Sequence, residues 1–320
     1  MKIMITELNW PSGIRLLQEK GYEVVYEPQL WKDRQRLQQE LRTADAMIVR
    51  NQTKVDAELI GWGTQLKVIG RLGVGLDNID LDAASNRNVQ VVFGKNANAT
   101  SVAEYVMAGI FCFSRTLDEA SASVRSGEWD RSKYTGAEIA GKTLGLIGVG
   151  EIGHRVAVRA KAHGIRVLGY DPFVSPYDFP VTESGIEMAS FERVLRESDF
   201  ISLHVPLTKQ TRNLINGSMF DMMKQSAVLI NSARGGIINE EDLNRALERG
   251  IIRGAVLDVL EQEPPLKNHP LLQRTNCIIT PHIAGLTEES QDRTSELVSA
   301  EVAGELEGRI SLCRVPRIGK

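Results

Sequence analysis

The chain has 320 residues, more than one hydrophobic core usually organises and about right for two domains. Its net charge is -3 with acids and bases interspersed, and 42% of it is hydrophobic. That balance is ordinary for a folded protein and offers no basic block for nucleic acid or a membrane surface. The longest apolar stretch near the middle, 106–113, is too short to span a bilayer, and Glu7 interrupts the opening residues where a signal peptide would be apolar. A cytoplasmic location is expected. Cys112, Cys277 and Cys313 lie far apart without metal-ligand spacing, so they read as small buried hydrophobes and no metal is expected.

Taken in order, short apolar runs at 2–5, 23–26, 46–49, 67–70 and 89–92 alternate with segments of helical period. Strands alternating with helices imply a parallel sheet covered on both faces. Ser101 with Glu104 three residues later predicts a capping box opening a long apolar helix that reaches about Arg115. The more polar stretch 121–138, with Trp129, reads as a connector or arm. From Lys142 the alternation restarts, with strands at 143–147, 166–170, 200–205, 228–233, 255–259 and 277–280, a six-strand doubly wound pattern. A last helix is predicted over about 288–307. The fold class is therefore α/β with two doubly wound parallel sheets.

The strand at 143–147 runs into Gly148-Val149-Gly150-Glu151-Ile152-Gly153 and then a helical segment to His163, with Gly164 as its C-cap. Gly148 permits the tight turn, Gly150 lets backbone approach a pyrophosphate, and Gly153 lets the helix pack closely. The free N–H groups and dipole of the helix start favour the phosphate charge. Asp171 ends the next strand, where its carboxylate would accept bonds from both ribose hydroxyls and repel a 2′-phosphate; no arginine adjoins it. These residues point to NAD rather than NADP. His154, just after the glycines, reads as a surface helix residue.

In open α/β sheets ligands lie beyond the carboxyl ends of the strands. Arg234, Asp258, Glu263 and His282 all follow strands of the second set. Such a group suits hydride transfer to a 2-keto acid. Arg234 offers a planar fork for a carboxylate, and His282 a proton for the carbonyl oxygen. Glu263 would fix the imidazole tautomer, and Asp258 would anchor the nicotinamide amide or ribose. His204 follows another strand and is expected to shape the cofactor pocket rather than serve as the acid.

The segments 231–236 (NSARGG), 254–259 (GAVLDV) with 261–264 (EQEP), and 280–285 (TPHIAG) resemble the signatures of the D-2-hydroxyacid dehydrogenases across nearly the whole chain. The resemblance implies Arg234, Glu263 and His282 as the catalytic set. It also implies a discontinuous, flavodoxin-like substrate domain (1–98 with 286–320) and an inserted Rossmann domain (99–285). A homodimer is implied as well, with an arm at about 99–138. Further cofactor candidates are Thr100, Glu151, Ile152, Pro172, Pro206, Thr211, Ala233 and Gly285.

The segments 50–56 (RNQTKVD), 71–80 (RLGVGLDNID) and 127–131 (GEWDR) resemble the phosphoglycerate dehydrogenase branch, and 49–53 (VRNQT), 70–77 (GRLGVGLD) and 280–287 (TPHIAGLT) are at least as similar to bacterial sulfolactate dehydrogenase. Arg50, Asn51, Lys54, Arg71, Leu72, Gly73, Val74 and Arg131 are the substrate candidates this implies. The substrate is then a small 2-hydroxy acid with a distal anion. A smaller acid such as glycerate or lactate is the alternative, and an NAD-sensing corepressor is the alternative of another class. With the last residue at Lys320, no appended regulatory domain and no serine feedback are expected.

Overall fold

The structure is a computed structural model that describes residues 1–316. The last four positions of the expected substrate domain, 317–320, lie outside the described residues. The chain divides into two compact units. One holds residues 1–98 and the described residues from Leu286 onward, the other Ala99–Gly285.

In the first unit, β1 (Lys2–Ile5), β2 (Glu23–Tyr26), β3 (Ala46–Val49), β4 (Val68–Arg71) and β5 (Gln90–Phe93) form one parallel sheet in the order β2-β1-β3-β4-β5. This is the flavodoxin-like order of doubly wound domains. Helices on both faces explain the near-continuous apolar strands: all four residues of β3 are fully buried. One face is closed by the helix Glu288–Leu306, which carries Val298 and Val302 into the core. Gly70 on β4 makes that approach possible, since a Cβ there would stand 2.6 Å from Val302 Cγ2. The last helix thus returns the chain to a sheet begun at residue 2, which is why this unit is discontinuous.

In the second unit, β6 (Thr143–Ile147), β7 (Arg166–Tyr170), β8 (Glu187–Met188), β9 (Phe200–Leu203), β10 (Val228–Asn231), β11 (Gly254–Leu257) and β12 (Cys277–Ile279) are all parallel. Their order is β12-β11-β10-β9-β6-β7-β8. Reading outward from β6, the order reverses between β6 and β9, the switch point at which doubly wound sheets place a nucleotide. Six of these strands match the predicted pattern. The seventh, β8, has only two residues and so no periodicity to read.

Some local expectations are corrected. The helix Ala99–Ser114 begins before Ser101, which is buried within it, so Ser101 is not its N-cap. A capping box occurs instead at the last helix, where Thr287 Oγ1 accepts from the Ser290 N–H at 3.2 Å and Ser290 Oγ from the Thr287 N–H at 3.1 Å. The 121–138 stretch begins in a second helix, Leu117–Arg125, and continues as irregular chain. Cys112 is exposed, because its side of the helix Ala99–Ser114 faces away from the core; Cys277 is partly buried and Cys313 buried. His154 is half-buried, not on the open surface: Nδ1 lies 3.1 Å from the Pro180 carbonyl and the ring lies against Phe179. No helix among the described residues is long and apolar enough to cross a membrane.

Candidate active site

In the second unit, β6 ends in a glycine loop before the helix Glu151–Ala162. Gly148 has φ +97, and a Cβ there would come within 2.5 Å of the His204 carbonyl oxygen, so no side chain fits. Gly153 is equally constrained, its Cβ position lying 2.6 Å from the Gly148 carbonyl. At Gly150 a Cβ would meet nothing within 4 Å. Gly150 is also the N-cap, with no side chain bonding to the first N–H groups. Open space over uncapped donors at a helix start is what a pyrophosphate requires.

Asp171 follows β7. Its Oδ2 accepts the Val149 N–H and its Oδ1 the Phe173 N–H, both at 2.9 Å. The carboxylate therefore pins the glycine loop, and each oxygen keeps a lone pair for a ribose hydroxyl. His204 follows β9 at the switch point. Its Nε2 is buried without a partner, as is Ser232 Oγ after β10. Burial drives the His204 pKa down to about 4, so the ring is neutral. An orphaned imidazole nitrogen on the residue that borders Gly148 and Gly153 fits a polar cofactor such as a dinucleotide.

The neutral His204 has a measurable consequence. The unfolded imidazole titrates near 6.5 and the folded one at about 4. Between these values the unfolded chain binds a proton that the folded chain does not. Stability therefore falls as pH drops through that window, by roughly 3 kcal/mol in full. Denaturant unfolding from pH 7 to 4.5 should show a shallower decline in His204→Gln than in wild type. Parallel declines would rule His204 out as a source.

The other cofactor candidates are spread over the same unit. Glu151 is ion-paired with Arg155 at 2.6 Å, and Arg155 also donates to Thr100 Oγ1 at 2.9 Å. The Thr211 hydroxyl donates to the Pro206 carbonyl and accepts the Thr208 N–H at 2.7 Å, fixing the loop after β9. Ile152 packs on the core, and Pro172 stands between Asp171 and Phe173.

Beyond β10, Asn231 organises the turn that carries Arg234. Its Oδ1 accepts the Ala233 N–H at 3.0 Å and its Nδ2 donates to the Arg234 carbonyl at 2.9 Å. Arg234 Nη1 donates back to the Ala233 carbonyl at 2.7 Å. Beyond β11, Asp258 is 1% exposed. Oδ1 accepts the Thr280 hydroxyl (2.6 Å) and the Ile283 N–H (2.7 Å), and Oδ2 the Ala284 N–H (2.7 Å). Tyr105 Oη lies 2.6 Å from Thr280 Oγ1. Thr280 has its one proton on Asp258, so Tyr105 is the donor. Burial pushes the Tyr105 phenol up to about 12, which keeps that proton in place. Asp258 thus braces the 280–285 loop from inside, a role not anticipated in the sequence.

That loop holds His282 at φ +57, with its N–H bonded to the Asp258 and Thr280 carbonyls. His282 Nδ1 lies 2.8 Å from Glu263 Oε2, and Glu263 Oε1 accepts the Leu260 N–H at 3.0 Å. Burial raises the Glu263 pKa, but the His282 bond and charge, the Leu260 N–H and the Arg234 charge outweigh it and leave the carboxyl below its ordinary value. An ionised Glu263 can only accept, so Nδ1 carries hydrogen and Nε2 is the outward nitrogen. The two side chains are 50% and 39% exposed. A pair so open adds little stability, and its effect is orientation.

The first unit carries its own polar cluster. The loop after β3 presents Arg50, Asn51 and Lys54. The Arg50 guanidinium lies 5.8 Å from the centre of the Trp10 ring. Arg71 at the end of β4 donates Nη1 to the Leu72 carbonyl at 2.8 Å. Gly73 has φ +140, and a Cβ there would collide with that guanidinium. Leu72 is buried and Val74 exposed. Arg131, by contrast, lies on exposed irregular chain of the second unit. Among the described residues no group of three or more His, Cys, Asp or Glu could hold a metal ion.

Strand, glycine loop, helix and terminal acid define the second unit as a dinucleotide-binding domain. A family model described as "D-isomer specific 2-hydroxyacid dehydrogenase, NAD binding domain" matches residues 107–284, and the chain belongs to that family. It is 42% identical over 313 residues to the D-3-phosphoglycerate dehydrogenase of Methanocaldococcus jannaschii, covering 97% of this chain and 58% of that protein. The chain spans little more than half the length of the curated relatives it matches, 50–58%. A Thermus thermophilus protein of known structure superposes with a TM-score of 0.90 at 33% identity, covering 99% of this chain and 100% of that one. The D-lactate dehydrogenase of Aquifex aeolicus, solved with NAD and lactic acid, gives 0.83 at 32% identity over 96% of both chains.

Proposed function

We propose that this protein is an NAD-dependent dehydrogenase that interconverts a small D-2-hydroxy acid bearing a distal anion and its 2-keto acid. The observation that carries the reading is the bond between His282 Nδ1 and Glu263, which leaves Nε2 free for substrate on the face of a domain built for NAD. NADH held by the glycine loop and Asp171 would, when bound, supply the hydride. Arg234 binds the substrate carboxylate through its fork. As C2 accepts the hydride, negative charge grows on the carbonyl oxygen, and His282 Nε2 delivers a proton there. Glu263 stabilises the imidazolium beforehand and holds the tautomer afterwards. In the reverse direction His282 takes the hydroxyl proton.

The D-3-phosphoglycerate dehydrogenase names of the curated relatives support a phosphate-like distal anion. Arg50, Lys54 and Arg71 supply positive charge for it, with Arg131 as a further base. We assign the chain to the cytoplasm and to a homodimer. Exposed Leu117, Val124 and Trp129 at 68%, 49% and 78% are the apolar surface that a partner copy would cover.

The reading is tested by NAD reduction with the separate enantiomers of 3-phosphoglycerate. Turnover of the D form alone is expected; equal rates, or turnover of the L form, would contradict it. The cofactor choice has its own test. Asp171→Ala removes both the ribose partner and the brace on Val149, so it should raise the KM for NAD by roughly tenfold or more while NADP gains relative to NAD. An unaltered NAD/NADP ratio in steady-state kinetics would take Asp171 out of the cofactor site.

A further inference from the structure

Glu7 follows β1 and is 3% exposed. Among the described residues no cation pairs with it at close range. Its carboxylate instead accepts four consecutive backbone N–H groups of the loop after β3. Oε1 takes those of Arg50 and Thr53 at 2.9 Å each; Oε2 takes those of Asn51 at 3.0 Å and Gln52 at 2.7 Å. The same loop is held from its carbonyl side: Asn78 Nδ2 donates to the Arg50 oxygen at 3.2 Å and the Thr53 oxygen at 2.8 Å. Thr53 Oγ1 and Thr6 Oγ1 stand 2.7 Å apart beneath it.

Four N–H groups converging on one point make the kind of nest in which proteins bind anions. Here the anion is a side chain of the protein itself. A loop with all four donors consumed has none left for a ligand, so any anion met there must be read by the outward side chains. Glu7 also offsets the loss of water around Arg50: burial lowers the guanidinium's pKa, and the Glu7 charge works against that loss.

We propose that Glu7 is the positioning residue that sets selectivity for the distal anion, by locking the Arg50–Thr53 backbone so that Arg50 and Lys54, not backbone amides, recognise it. This rests on the substrate class proposed above. Glu7→Gln is nearly isosteric, yet its amide nitrogen would point its own donors at two of the four backbone N–H groups that the carboxylate accepts. Selectivity should therefore fall while the chemistry of the second unit persists.

The test uses the full chain and two keto acids that differ only in the distal anion, phosphohydroxypyruvate and hydroxypyruvate. In Glu7→Gln, kcat/KM for phosphohydroxypyruvate should drop by about tenfold or more, through KM, while that for hydroxypyruvate and the Kd for NADH stay within about twofold. Amide hydrogen exchange at 50–53, slow in wild type, should accelerate in the variant. If Glu7→Gln does not fold, Asn78→Ala, which loosens the same loop from its other side, should show the same split. Equal losses on both keto acids, or wild-type selectivity in either folded variant, would overturn the proposal. A wild type without preference for phosphohydroxypyruvate would instead overturn the substrate class, and Glu7 would then stand or fall as the loop's organiser on amide exchange alone.

Discussion

His282→Asn should lower kcat for keto-acid reduction by about 10²–10⁴-fold and leave NADH binding unchanged. Asparagine is the informative replacement because His282 sits at φ +57, a conformation that Asn adopts more readily than most residues. It also keeps a donor for Glu263, so the loop braced by Asp258 and Thr280 should hold its shape. What the variant lacks is a group that can give up and regain a proton near neutral pH. The loss should appear in kcat and kcat/KM alike, the pattern of an interaction made in the transition state. A variant with wild-type kcat, checked by NADH fluorescence titration and single-turnover kinetics, would remove His282 from proton transfer.

Arg234→Lys should raise the KM for the keto acid by roughly ten- to hundredfold, the equivalent of about 1.5–3 kcal/mol for a lost charged hydrogen bond. Lysine keeps the charge that helps hold Glu263 ionised. It cannot reproduce the two parallel N–H bonds of a guanidinium, nor the Nη1 bond to the Ala233 carbonyl that steadies the side chain. Charge alone therefore predicts a small effect and bidentate geometry a large one. Steady-state kinetics with a 2-keto acid decides between them. An unchanged KM would mean that Arg234 does not hold the substrate carboxylate.

Much of this was legible in the sequence because the chemistry sits at strand ends. Gly148 and Asp171 directly follow an apolar run, Arg234 and His282 follow one three residues past its end, and position after a strand translates into position at the edge of a parallel sheet. The residues that hold those groups in place were harder to see. Asp258 reads as a cofactor contact from its place after a strand, while the partners that fix its carboxylate, Thr280, Ile283 and Ala284, lie 22 to 26 positions away, and only the folded sheet brings them together. Glu7 registered only as a charge interrupting an apolar opening; its four partners begin 43 residues later. Tyr105 looked like part of an apolar helix. Ser101 misled for the opposite reason: a capping pattern is local, but Ser101 was already inside a helix that starts at Ala99.

Arg50, Lys54 and Arg71 matter to turnover only if the keto acid carries a second negative charge. The most direct test is NADH oxidation by the purified protein with phosphohydroxypyruvate, sulfopyruvate, hydroxypyruvate, pyruvate and 2-ketoglutarate. A kcat/KM at least about tenfold higher for a keto acid with a distal anion than for hydroxypyruvate or pyruvate is expected. Bound NADH with no turnover of any of the five, or a preference for pyruvate, would contradict that expectation.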